Sequence, residues 1–294
     1  MKLLVAALLV VAAAPALAQG GPSFDCARAS TEVERTVCKN PRLSIEDRQM
    51  AGIYEALRDR LSGAARVHLE KDQASWLARR GVPCTHELAD CLKTLYGLRR
   101  DRLEVLGAGP YPFVSEQAVA RTGKVGNTAF VIDITYPQFD GAADFSAVNR
   151  QLADAASKAA AAAVPAGNND GLTAWDFGQD FVLYRPGPHA ITALIRQLVF
   201  AGGAHPNSSA HAVLVDLRAG RAVAPQDVFS PGVEGLRVVA DIVRDDLTQQ
   251  FKDRPGYDDA LEPANLAKLL ADRKRWLFLT DFLKLNFDRY EIAS

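Results

Sequence analysis

The residues best suited to chemistry are four cysteines, Cys26, Cys38, Cys84 and Cys91, all confined to residues 24–106. Thiols in that arrangement either ligate a metal or cross-link as disulfides. The members of the two local pairs lie twelve and seven positions apart, wider than the roughly two to four intervening residues that structural zinc sites favour. An oxidising compartment would favour disulfides. Four cysteines allow more than one connectivity, and spacing alone does not choose between them. The second concentration of chemistry is Ala201-Gly202-Gly203-Ala204-His205-Pro206-Asn207. Paired glycines let the backbone turn where a side chain would clash, and Pro206 stiffens the exit. Such a loop can present Gly202, Gly203, His205, Pro206 and Asn207 to a partner. Its structural alternative is a turn in which His205 bonds only its neighbours.

Catalysis would need companions for His205. His211 follows six residues on, but no Ser-x-Gly nucleophile elbow and no His-Glu-x-x-His pair accompanies it. No triad, metal set or paired carboxylates at a telling spacing appear elsewhere. The expectation is therefore a protein that is not an enzyme, with no cofactor and no metal. His68 and His86 have no companion at ligand spacing and read as surface residues. Trp76, beside an apolar helical stripe, reads as core, and Arg80 one turn later as a pairing or snorkelling residue.

The cysteines' state depends on the compartment, which the first residues address. Met1-Lys2 precedes an unbroken apolar run over residues 3–14, and Ala16-Leu17-Ala18 forms a small-x-small cleavage box. This is the pattern of a secretory signal peptide, residues 1–18, cleaved before Gln19. The run is shorter than the ~20 residues a membrane span needs. No cysteine follows the box, and no later stretch is apolar enough to cross a bilayer. The expected product is periplasmic or secreted, with no membrane anchor. Residues 23–106 carry 15 basic and 13 acidic residues, and residues 107–294 carry 18 and 22. Net charges of +2 and −4 leave no basic footprint for nucleic acid.

Four helices should position the cysteines. Thr31-x-x-Glu34 is a capping box for a short helix reaching Cys38. Asn40-Pro41 interrupts it, and Ser44 is the candidate cap of a longer helix whose stripe is Met50, Ile53, Tyr54, Leu57 and Leu61. A third helix spans about residues 64–80 with Val67, Ala74 and Leu77 inward and Trp76 at one edge. A fourth spans about residues 87–106, with Leu88, Leu92, Leu95, Leu103 and Leu106 at helical spacing. So small a helical domain, residues 19–106, is short of core and gains from staples. If the pairing is local, each bridge contributes ~2.5–3 kcal/mol in the chain-entropy model.

Phe24-Asp25-Cys26-x-x-Ala29-Ser30-Thr31-x-x-Glu34-x-x-x-Cys38, Leu43-Ser44-x-x-Asp47-Arg48, Gln73-x-x-Trp76-Leu77-x-x-Arg80 and Cys91-Leu92-x-x-Leu95-Tyr96-x-x-Arg99 together resemble the LprI-like domain. That exported four-cysteine family is named for a lysozyme-inhibiting lipoprotein. The resemblance implies lysozyme inhibition as a lead.

Gly107-Ala108-Gly109-Pro110-Tyr111-Pro112 is a composition break, read as a linker over residues 107–112. Beyond it, residues 130–137 read as a strand closed by Pro137, and residues 143–164 as a helix with Phe145, Val148, Leu152 and Ala155 or Ala156 on its face. Residues 177–185, 190–200 and 210–217 read as successive strands, with a turn at Arg185-Pro186-Gly187-Pro188-His189. Helical spacing returns at Leu236, Val239, Ile242, Val243 and Leu247. Strands segregated from helices argue an α+β domain with an antiparallel sheet over residues 113–294. The whole is expected to be multidomain: a disulfide-stapled all-α region followed by this α+β region.

Ile134-Thr135-Tyr136-Pro137, Asp144-Phe145-x-x-Val148-Asn149, Gly202-Gly203-Ala204-His205-Pro206-Asn207 and Asp216-Leu217-x-x-Gly220-Arg221 make this second region similar to the extracellular domain shared by RsiV and PdaC. In RsiV that domain binds lysozyme. The two resemblances imply a protein that binds a lysozyme-like muramidase, or its peptidoglycan substrate, and blocks the enzyme by loop occlusion. An envelope structural or peptidoglycan-binding module without an enzyme target is the reading from another class.

Overall fold

The computed structural model describes residues 21–84, 87–108, 113–165, 174–202, 205–229, 234–253, 256–257, 259–287 and 291–292. The signal peptide, most of the linker, His86 and Gly203 therefore lie outside the described residues. Four helices come first: α1 (Glu32–Lys39), α2 (Pro41–Arg60), α3 (Gly63–Arg79) and α4 (Leu88–Gly107). Thr31 caps α1 in a full capping box with Glu34, as its spacing predicts. The start of α2 differs from expectation. α1 does end at Lys39, before Asn40-Pro41, as expected, but Pro41 itself then opens α2, because a first-turn N–H has no intrahelical acceptor to lose. Asn40 is the cap, accepting from the Arg42 and Leu43 amides at 3.0 and 3.2 Å. Ser44 is buried instead, donating to the Val37 carbonyl at 2.8 Å.

The disulfides form within the local pairs, Cys26–Cys38 and Cys84–Cys91, with Cα atoms 5.8 and 5.6 Å apart. On α3 the inward face is not the expected one. Val67, Ala74 and Leu77 are exposed, whereas Leu69, Asp72, Gln73 and Trp76 are buried. The helix turns a polar face inward because its neighbours supply the opposite charges.

The sheet region comprises β1 (Phe113–Val125), β2 (Thr128–Asp140), α5 (Ser146–Ala162), β3 (Ala174–Gly187), β4 (Ala190–Phe200), β5 (Asn207–Asp216) and β6 (Arg221–Ala222). Two helices, α6 (Gly235–Gln250) and α7 (Pro263–Ala271), precede a small antiparallel hairpin, β7 (Trp276–Phe278) and β8 (Leu283–Leu285). The six main strands lie in chain order and pair antiparallel, save that β2 and β3 are parallel. The crossover through α5 makes that pair parallel, as a strand–helix–strand connection must. Their ladder spans residues 129–134 of β2 and then ends. Pro137 accordingly does not close β2; it sits beyond that ladder, paired only with Glu116 of β1, where a missing N–H is tolerated.

Buried Val148, Leu152, Ala156 and Ala160 give α5 its apolar stripe. Its C-terminal half packs Ala156 and Ala160 against Ile132, Ile134 and Phe177. A larger cluster runs from Leu43, Met50, Leu92 and Leu103 of the helices into Val114, Phe139, Phe181, Leu183 and Ile191 of the sheet. The two regions thus share one continuous core. Among the described residues no helix is long and apolar enough to cross a membrane.

Candidate functional site

The polar face of α3 meets α4, where Tyr96, Arg99, Arg102 and Leu103 fall at helical spacing and are buried. The Arg99 side chain is 0 % exposed, as is that of Asp72. Its Nη1 donates to Asp72 Oδ2 at 2.7 Å, and its Nε and Nη2 donate to Gln73 Oε1 at 3.0 and 2.9 Å. Burial pulls the Arg99 guanidinium down, opposed by the charge of Asp72. The other Asp72 oxygen accepts the Glu116 amide of β1 at 2.6 Å. Glu116 in turn pairs with Arg102 and, at 3.2 Å, with Arg79, whose other nitrogen reaches Asp133 of β2 at 2.8 Å. Burial raises the Asp133 carboxyl above its ordinary value, with Arg79 opposing. Alternating charges therefore run from the helices across β1 to β2.

Two more groups extend this network. Tyr96 donates to Asp47 Oδ1 at 2.8 Å, and the Ser23 amide donates to Asp47 Oδ2 at 2.6 Å. Burial first, and then the charge of Asp47, push the Tyr96 phenol well above its usual value. Trp76 lies edge-on to Tyr96 with centroids 5.1 Å apart, and the Arg80 and Arg99 guanidinium groups sit 5.9 and 5.8 Å from its ring. Trp76 is core, as its position predicts, and Arg80 is nearly buried beside it. Where the β2–β3 ladder ends, Arg102 donates to the Phe181 carbonyl at 3.1 Å and stacks 3.8 Å from the Phe181 ring. An arginine of α4 thus wedges into the split of the sheet.

Between these helices and the sheet opens a cleft of about 1060 Å³. One wall is Trp76 and Arg79 of α3 and Arg80 at its C-cap, with Leu95 and Leu98 of α4. The floor is the sheet. Pairing registers place Val131 and Asp133 of β2 beside Asp176 and Gly178 of β3, with Thr135 and Asp180 just past the end of that ladder. These continue into Phe200, Leu198 and Arg196 of β4 and then Ser208 and Ala210 of β5. Arg196 holds Asp180 through two bonds of 2.7 and 2.5 Å. A side chain built on Gly178 would meet nothing within 4 Å, so the floor is open at its centre.

The glycine-rich loop reaches the mouth of this cleft. Gly202 has φ 75°, a conformation that favours glycine. His205 is exposed, and its Nδ1 lies 3.2 Å from the Pro206 carbonyl. Asn207 is exposed and begins β5 opposite Val199. Pro206 and Ser208 line the cleft itself. Loop and cleft are therefore adjacent. The cysteines are not part of either: both disulfides staple the helical region. His68 of α3 pairs with Asp140 of β2 at 2.9 Å and bridges the two regions at the surface.

The arginine–carboxylate network is the feature that hydrophobic patterning missed, since its members look like solvated surface in the sequence. Its one available signal was the set of motif residues Asp47, Gln73, Trp76, Arg80, Tyr96 and Arg99. Residues 25–103 match the family model described as lysozyme inhibitor LprI. Every one of those six residues falls in the matching segment, and every one is buried.

Two solved structures are similar over much of the chain. A DUF3298 family protein from Pseudomonas aeruginosa PAO1 is 16 % identical, with a TM-score of 0.41, covering 63 % of this chain and 85 % of its own. A member of the same family from Bacteroides fragilis is 12 % identical, with a TM-score of 0.40, covering 62 % of this chain and 85 % of its own. No curated protein matches the chain.

Proposed function

We propose that this chain binds a lysozyme-type muramidase outside the cytoplasm and inhibits it. The observation that carries the reading is the match of residues 25–103 to the lysozyme inhibitor family model. The residues we assign to the contact are Gly202, Gly203, His205, Pro206 and Asn207, with the loop entering the enzyme's cleft. The exposure of His205 and Asn207 supports this assignment, as does the positive φ of Gly202. Pro206 fixes one φ at the loop's exit, which reduces the entropy lost on binding. The motif resemblance of residues 113–294 to the outer domain of RsiV and PdaC points the same way. The signal-peptide pattern and the two disulfides support a periplasmic or secreted location.

The test mixes the oxidised protein with lysozymes of several structural classes and measures complex formation and muramidase activity together. Inhibition by at least one class is expected. Replacing both His205 and Asn207 with alanine should weaken the complex about tenfold or more while leaving the fold intact. Capture by intact peptidoglycan with no lysozyme bound would overturn the inhibitor reading. Unchanged affinity in the double variant would remove the loop from the interface.

A further inference from the structure

We propose that the cleft between α3, α4 and the sheet is a binding site for a neutral oligosaccharide, admitted by the absent side chain at Gly178 and held by ion-paired side chains. This inference stands apart from the muramidase reading. It rests on the cleft's charge balance, its floor and its size.

The charges lining the cleft are already matched. Arg79 is shared by Glu116 and Asp133, Arg102 is on Glu116, and Arg99 is on Asp72. On the floor Arg196 is on Asp180. What remains is one group of each sign, Arg80 on the helical wall and Asp176 on the floor. No carboxylate among the described residues pairs with Arg80, and the Asp176 carboxylate has no partner among them. A charged ligand would meet as much repulsion as attraction. A neutral ligand rich in hydroxyls would not. Carboxylates locked in ion pairs keep lone pairs free to accept from sugar O–H groups, and guanidinium groups keep N–H groups to donate to sugar oxygens. Locked pairs also lose no side-chain freedom on binding, which favours affinity.

The floor separates a sugar from an extended peptide. A peptide that docks on a sheet does so by pairing with a free strand edge. Here β3 and β4 are interior strands with neighbours on both sides, so their backbone groups in the floor are engaged in ladders. Only side chains are offered: Asp176, Asp180, Arg196 and Ser208, with the apolar surfaces of Leu198 and Phe200 between them. Alternating polar forks and apolar patches match the edge and the face of a pyranose ring. The cleft of about 1060 Å³ lies just above the range of roughly 300–1,000 Å³ for small-molecule pockets. It is large enough for an oligomer.

Gly178 supplies the decisive variant. Its φ lies outside the positive range and a Cβ there meets open space, so leucine fits the strand and fills the floor. The oxidised full chain is titrated calorimetrically with chitotriose and with cellotriose, which share a β-linked backbone and differ in their acetamido groups. Trilysine and inorganic phosphate serve as charged probes. Binding of at least one trisaccharide is expected, and the difference between the two reports whether the acetamido groups contribute. Gly178→Leu should abolish it with an unchanged circular dichroism spectrum. Asp176→Ala should weaken it about tenfold or more through a lost charge-assisted hydrogen bond.

Absence of binding by both sugars overturns the proposal, as does trilysine or phosphate binding more tightly than the sugars. A folded Gly178→Leu variant with wild-type sugar affinity does the same. If Gly178→Leu fails to fold, Asp176→Ala decides, and unchanged affinity there refutes the site. Lysozyme binding by the sugar-free protein is measured in parallel, so failure of one reading is distinct from failure of the other.

Discussion

Replacing Asp72 by asparagine tests whether the inward polar face of α3 holds the two regions together. The Asp72 and Arg99 side chains are both 0 % exposed and meet at 2.7 Å. Asparagine keeps the shape and can still accept from the Glu116 amide, so the perturbation is almost purely one of charge. It leaves a fully buried guanidinium with neutral acceptors only, chiefly Gln73 Oε1 at 2.9–3.0 Å. Breaking a buried pair from one side costs about 3–5 kcal/mol, because the remaining charge is neither solvated nor matched. Against a typical stability of about 5–15 kcal/mol this is a large fraction. Urea unfolding of the oxidised protein, followed by tryptophan fluorescence and by circular dichroism, gives the loss; coincidence of the two probes establishes whether the regions unfold as one unit. The paired replacement Asp72→Asn with Arg99→Gln removes both charges, keeps an acceptor for the Glu116 amide and a donor able to reach Gln73 Oε1, and should be less damaging than Asp72→Asn. A loss below about 1 kcal/mol for Asp72→Asn, or a paired variant less stable than the single one, would refute the reasoning.

Two further outcomes follow from the helical region. Replacing Cys26 and Cys38 together by serine should lower stability by about 2.5–3 kcal/mol, and Cys84 with Cys91 by about 2.5 kcal/mol, measured by chemical unfolding; non-reducing peptide mapping that links the pairs to each other would contradict the local connectivity. The Glu34 carboxyl is held down at about 2, first by the Thr31 backbone amide and next by that of Ser30. A carboxyl lowered in the folded state stabilises above its unfolded value, here 4.5, and that contribution fades as pH falls towards 2. The melting temperature of Glu34→Gln should therefore trail the wild type at neutral pH and converge with it between those values; a constant gap down to the lower value would contradict the assignment.

Local features were legible in the sequence. The capping box at Thr31 and Glu34 is set by four neighbouring residues, and nothing distant overrides it. The apolar spacing of Val148, Leu152 and Ala156 likewise marks the buried face of α5. What failed has a common cause. Val67 and Leu77 suggest an inward stripe on α3, yet they are exposed, because Asp72 and Gln73 answer to Arg99, twenty-seven and twenty-six positions away. Periodicity reads polarity along one helix and is blind to a complementary charge arriving from another. Pro41 was ambiguous for a different reason, since proline both stops and starts helices and only the amide partners of Asn40 decide which. β1 is an edge strand, with β2 on one side only, and its apolar Ala118, Val119 and Ala120 run together instead of alternating with polar residues. The cleft had no signature at all, being assembled from α3, α4 and five strands.

The placement of the motif residues changes what the family match says. Gln73, Trp76, Arg80, Tyr96 and Arg99 make the first region recognisable, and all are buried. Gln73 orients Arg99, Tyr96 ties α4 to Asp47 of α2, and Trp76 packs against Tyr96 between two guanidinium groups. Residues so enclosed define how the helices assemble, and of them Trp76, Arg80 and Arg99 also border the cleft. A sequence match founded on them therefore identifies a scaffold, and two chains sharing it can present unrelated surfaces. The specificity of this chain must reside in groups that the motif leaves free. Those include the exposed loop at His205 and Asn207 and the open floor at Gly178, both supplied by the sheet region. Arg79 and Arg102, by pairing with Glu116 and Asp133, fix that floor against the helices. The buried network acts on recognition at one remove, by setting the shape of the cleft whose floor lies on the other region.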